Sequence, residues 1–121
     1  MNEALMRIGE VAAFFSVSIK ALRVYEKMGI YCVAVHPTRF AACAVAGEYF
    51  SADGPYCDNP KLTTGAGDNF NAGFCFGQAV GLEPLDSLLL GVVTSGFYVR
   101  NARSPNLEEA AAFFEEYMRH L

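Results

Sequence analysis

The residues best placed to do chemistry form one stretch, Lys61-Leu62-Thr63-Thr64-Gly65-Ala66-Gly67-Asp68-Asn69-Phe70. A glycine loop running into a helix exposes backbone N–H groups that have no partner inside the helix, at the positive end of its dipole. Such a loop can hold an anion, including a phosphoryl group in transit. Asp68, in the first turn beside those amides, can accept a proton from an attacking hydroxyl. The two functions belong together, because phosphoryl transfer is mainly positioning plus charge stabilisation. A plainer reading of the same spacing stays open: a glycine-rich turn followed by an aspartate that favours a helix N-terminus anyway.

The loop needs elements to hold it. Upstream, Tyr31 to Val35 is a short β-rich run that stops at His36-Pro37. Phe40 to Val45 and Glu48 to Ser51 are further strand candidates, with Gly47 and Asp53-Gly54-Pro55 supplying turns. Lys61 to Thr64 reads as a last extended piece. Three helices should follow. The first runs from about Gly67 to Val80, with Gly73, Gly77 and Gly81 on one side, a stripe suited to close approach to a sheet. The second begins near Pro84 and buries Leu85, Leu88, Leu89, Val92 and Val93. The third begins after Ser104-Pro105, a cap followed by a first-turn proline, and carries a stripe of Leu107, Ala110, Ala111, Phe114 and Met118. Arg119 and His120 suit its negative end. Strands, then a glycine loop, then helices point to the edge of an α/β sheet.

The first thirty residues read differently. Ile8, Val11, Ala12 and Phe15 mark one helical face. Ser16-Val17-Ser18 makes a break, with Ser18 as a cap, and Ile19, Leu22 and Glu26 share the face of a second helix that Gly29 would stop.

Composition narrows the function classes. A chain of 121 residues, 53% hydrophobic and 18% charged, has the makings of one modest packed domain. Leu88 to Val99, the longest nearly apolar stretch, is shorter than the ~20 residues of a membrane-spanning helix, so no membrane role is expected. Residues 1–30 hold four Lys/Arg against three Asp/Glu; the remainder holds five against ten. An acidic body does not attract nucleic acid, so DNA contact would have to come from the first thirty residues. Glu3 and Glu10 interrupt any secretion-signal layout. Cys32, Cys43, Cys57 and Cys75 are scattered without a CxxC pair, which fits reduced thiols in a cytoplasm and argues against a zinc site; no metal ligands are assigned.

Thr63-Thr64-Gly65-Ala66-Gly67-Asp68, followed by Phe70, Ala72 and Gly73, resembles the C-terminal signature of the PfkB/ribokinase carbohydrate kinases. The resemblance extends from Tyr31 to Leu121. It implies the C-terminal portion of a ribokinase-like α/β fold, short strands and then three helices; the first thirty residues would place an N-terminal helix-turn-helix-like pair before it. It also implies ATP with Mg²⁺, often with a monovalent cation, and a sugar or nucleoside substrate. Asp68 would be the base, Gly65, Ala66 and Gly67 the anion hole, and Thr63 and Thr64 the supporting loop. Asn101 and Ser104 would lie in a nucleotide or cation loop. Leu62 stands where the family commonly has aspartate. The long portion that supplies most of the sugar pocket and lid in such kinases has no counterpart here, which implies self-association or a complementing kinase half.

Ile8-Gly9-Glu10-Val11-Ala12 and then Val17 to Ile30 are similar to the helix-turn-helix of MerR-type regulators, in which Ser18, Lys20, Arg23 and Tyr25 would approach DNA. No wing or long coiled-coil helix follows Ile30, and the DNA affinity of one small module with little net charge should be weak. The readings are then three: a kinase segment in residues 31–121, a DNA-binding regulator using residues 7–30, or a fused or truncated product with no activity of its own. The kinase reading ranks first, because its motif is longer and covers more of the chain.

Overall fold

A computed structural model describes Val24, Tyr25 and residues 27–120. In that span β1 (Cys32–Val35), β2 (Phe40–Val45) and β3 (Glu48–Asp53) precede α1 (Ala66–Ala79), α2 (Pro84–Asn101) and α3 (Leu107–Arg119). No described helix is long and apolar enough to cross a membrane.

The strands form an antiparallel sheet in the order β1-β2-β3. Val45 pairs with Glu48, so only Ala46 and Gly47 turn the second hairpin, with φ of 50° and 83°. Two successive positive φ values match the right-handed twist of the flanking strands. Ala41, Cys43 and Val45 alternate onto the helix-facing side of β2 and are buried with Phe70, Phe74, Leu88 and Val92. Small side chains on the middle strand let α2 lie close to it. Burial pushes the Cys43 thiol up to about 12, so it stays protonated and behaves as a small apolar group.

The packing partner of the glycine stripe differs from expectation. Gly73 and Gly77 face α2 rather than the sheet. A Cβ at Gly73 would sit 2.7 Å from the Leu90 carbonyl oxygen, and one at Gly77 would sit 3.0 Å from the Ser87 Cα. In return Gly91 of α2 makes room for the Phe70 ring. Gly81 belongs to another job. Its φ is 83°, and the N–H groups of Gly81 and Leu82 donate to the Gln78 and Gly77 carbonyls, closing the C-terminus of α1. Gly29 ends the preceding helical stretch in the same left-handed conformation, as its placement predicts.

Three further expectations are corrected. Lys61 to Thr64 is not a strand. The Lys61 N–H donates to the Val99 carbonyl (2.7 Å) and the Ala66 N–H to the Thr63 carbonyl (3.1 Å), so the segment is tied to a helix end and a turn. Nor does Ser104 cap α3. Asn106 does: its side chain accepts from the Glu109 N–H (2.8 Å) while the Glu109 carboxylate accepts from the Asn106 N–H (2.9 Å). The buried face of α3 is correspondingly rotated. Ala110 and Tyr117 are buried, and the Tyr117 hydroxyl donates to the Asp53 carbonyl. Leu107, expected inside, is 72% exposed.

Candidate active site

Gly65 is the N-cap of α1 and has φ of 96°, a conformation open to glycine and costly for other residues. No side chain caps this helix. With the Ala66 N–H used by Thr63, the N–H groups of Gly65, Gly67 and Asp68 have no acceptor among the described residues. The three donors fall within four consecutive residues at the positive end of α1. Asp68 is exposed in that first turn, and its carboxylate enters neither of the ion pairs among the described residues.

The loop is braced from two sides. The Tyr98 hydroxyl, from α2, donates to the Thr64 carbonyl at 2.6 Å. The Asn69 side chain donates to the Gly65 carbonyl at 2.9 Å, and Asn69 in turn accepts from the Ser104 hydroxyl at 2.7 Å. Thr63 and Thr64 therefore support the turn through their carbonyl groups. Ser104 reaches the loop through Asn69. Asn101 does not: its side-chain amide donates to the Phe97 carbonyl one turn back on α2 (2.9 Å).

Two cations of the same region, Arg100 and Arg103, have structural partners. The Arg100 guanidinium donates to the Gly96, Pro55 and Tyr56 carbonyls, fastening the segment after β3 to α2. Arg103 makes a two-pronged contact with Glu109 at 2.6 and 2.9 Å, and that hydrogen bonding holds the Glu109 carboxyl down to about 2.

A cavity of about 290 Å³ opens beside the glycine turn, lined in part by His36, Thr38, Thr63, Gly67 and Ser95. His36 stacks on Phe70 with ring centroids 4.3 Å apart and planes within 10°. Burial lowers its pKa from the ordinary 6.5, keeping the ring neutral. In the unfolded chain the ring takes up a proton near pH 6.5, whereas the folded chain resists it. The unfolded state then binds more protons, so stability rises with pH across this window and falls as pH drops below 6.5 toward the lowered value. The unfolding midpoint should fall between about pH 7 and about pH 5, and His36→Phe should flatten that slope. Thermal melts of both proteins across the range check this.

Among the described residues no group of three His, Cys, Asp or Glu side chains is arranged to hold a metal ion. Ser18, Lys20 and Arg23, singled out for DNA contact, lie outside the described residues; Tyr25 is described and exposed. Tyr98, Asn69 and His36 escaped the sequence reading. Asn69 carried a signal, following Asp68 directly, and His36 was noted only as a strand stop. Tyr98 carried none, because its role depends on how two helices cross.

The chain is similar to known proteins in sequence and in fold. A ketohexokinase of Haloferax volcanii is 38% identical over 94 residues, covering 78% of this chain and 25% of that protein. The chain thus spans about a quarter of the length of the curated relative it matches. A crystal structure from E. coli described as a ribokinase II, apo form, superposes with a TM-score of 0.71 at 21% identity, covering 80% of this chain and 33% of that one. One from Thermoplasma acidophilum described as a ribokinase gives 0.57 at 20% identity, covering 84% and 38%. These two likenesses concern fold: the three strands and three helices match part of a ribokinase-like α/β architecture. The family model for prokaryotic ketohexokinase matches residues 3–117, running through the stretch compared above to a helix-turn-helix. The chain belongs to the prokaryotic ketohexokinase family.

Proposed function

We propose that this chain carries the phosphate-binding and proton-accepting part of an ATP-dependent sugar kinase whose acceptor is a hydroxyl of a ketohexose. One observation carries the reading: among the described residues, the left-handed turn at Gly65 leaves the Gly65, Gly67 and Asp68 amides without acceptors beside a carboxylate that enters no ion pair. Asp68 takes the proton of the sugar hydroxyl. The hydroxyl oxygen bonds to the γ-phosphorus as the bond from that phosphorus to the β–γ bridging oxygen breaks, and ADP leaves. The amides hold the negative charge on the transferring group during the step. Ala66, expected to share that work, contributes shape, since its own N–H is engaged by Thr63.

Mg²⁺ would be held chiefly by phosphate oxygens and water, its usual arrangement beside a nucleotide, and would supply neutralising charge to the phosphates. A monovalent cation belongs, on this reading, near the Asn101–Ser104 loop, with Ser104 the better placed of the two because it reaches the glycine turn.

The sugar pocket comes from a complementing part of the kinase or from a second chain. An exposed apolar patch at the C-terminal end of α1, including Phe76 (52% exposed) and the C-cap Val80 (57% exposed), is the surface that partner would cover. A DNA-binding role for residues 7–30 gains no support from the family match, which crosses residue 30.

Adding MgATP to isotope-labelled protein should shift the Gly65, Gly67 and Asp68 amide resonances first and furthest. A folded protein whose loop resonances stay fixed at millimolar MgATP refutes the reading.

A further inference from the structure

Resting on that reading of the glycine turn, we infer that Tyr98 is a positioning residue: through its hydroxyl it fixes the Thr64–Gly65 peptide so that the Gly65 N–H is presented to the phosphate.

The carbonyl and N–H of a peptide unit point in opposite directions, because the unit is planar and trans, and no peptide in the described residues is cis. The Tyr98 hydroxyl holds the Thr64 carbonyl at 2.6 Å. The N–H of the same unit, which belongs to Gly65, therefore points away from Tyr98, and it meets no acceptor among the described residues.

Glycine makes this orientation easy to lose. A peptide flanked by glycine can rotate to another allowed conformation at little steric cost. Something outside the turn has to select one orientation, and two contacts do so. Tyr98 holds the carbonyl before Gly65, and the side chain of Asn69, itself bonded to Ser104, holds the carbonyl after it. The Tyr98 ring also fills the space where a Gly65 side chain would go: a Cβ there would lie 2.7 Å from its oxygen and 3.2 Å from Cζ. The next residue of α2, Val99, accepts the Lys61 N–H. One turn of α2 thus sets both the entry of the loop and the peptide at its apex.

Tyr98→Phe separates positioning from packing, since it keeps the ring against Gly65 and removes only the hydroxyl. Two measurements on the whole chain decide the matter. Amide exchange at Ala66, whose N–H closes the turn onto Thr63, should quicken about tenfold in Tyr98→Phe, while exchange at the buried Val92 stays as in the unchanged protein. The dissociation constant for MgATP should rise about tenfold, the loss of one well-aimed hydrogen bond to a charged group. Unaltered exchange at Ala66, or unaltered MgATP affinity alongside faster exchange, overturns the assignment. The two levels fail separately. If the unchanged protein does not bind MgATP, the kinase reading falls, and Ala66 exchange alone then shows whether Tyr98 sets the turn.

Discussion

Gly73→Ala should cost about 2 kcal/mol and lower the unfolding midpoint by roughly 8 °C, although alanine is the better helix former. The new methyl would lie 2.6 Å from the Thr94 hydroxyl, 2.7 Å from the Leu90 carbonyl oxygen and 3.0 Å from the Gly91 Cα. Two of those are backbone atoms of α2 and cannot swing aside. The third, the Thr94 hydroxyl, is already bonded to the Leu90 carbonyl at 2.7 Å, so moving it loses that bond. Relief requires α1 and α2 to separate, and that opens the contact in which Phe70 nests against Gly91. The gain of about 1 kcal/mol in helix propensity offsets only part of this. Gly67→Ala is the matched control: its methyl meets nothing within 4 Å, so its midpoint should not drop. Calorimetric melts of the two variants decide the point. A Gly73→Ala protein that melts with the unchanged one would show that the helices cross at a greater distance.

The second large effect is chemical. Asp68→Asn should reduce sugar phosphorylation by the assembled kinase about a thousandfold while leaving MgATP affinity within about a factor of three. Asparagine keeps the shape of the side chain and leaves the backbone donors of the turn in place, but it cannot accept a proton. Asp68 is exposed and enters no ion pair among the described residues, so the change breaks none of them and the fold should be indifferent to it. Steady-state turnover with a ketohexose, set beside calorimetric MgATP binding, separates the two quantities. Turnover within tenfold of the unchanged enzyme would remove Asp68 from the role of base.

How much of this was legible beforehand differs from residue to residue. The chemistry-bearing loop stood out because its signal is local: glycines and an aspartate at fixed spacing need no distant partner to be noticed. The helix from Pro84 and the strand from Phe40 to Val45 were equally plain, since a first-turn proline and a β-rich run both act within a few residues. The cap of α3 was not. Ser104 and Asn106 are both good capping residues, and the choice fell to Asn106 because Ser104 is drawn to Asn69, 35 positions earlier. The stripe of Gly73 and Gly77 showed which side of α1 comes close to something. Periodicity marks a face and is silent about what lies opposite, so the neighbour proved to be α2. Within the glycine loop, residue types could not tell which N–H would be engaged internally. That depends on a turn closing from Ala66 onto Thr63. Tyr98 lay furthest from view, 34 positions from the carbonyl it holds.

The order in which the elements touch bears on how they come together. β1 pairs with β2, β2 with β3 and α1 with α2, so the most extensive contacts join neighbours along the chain, while α2 also reaches back past α1 to β2 and β3. Closing short loops loses little chain entropy, so the hairpins and the helix pair are the units that local contacts can build first. Seating α2 on the sheet is the long closure that joins them, and the packing of Leu88 and Val92 against β2 is what rewards it.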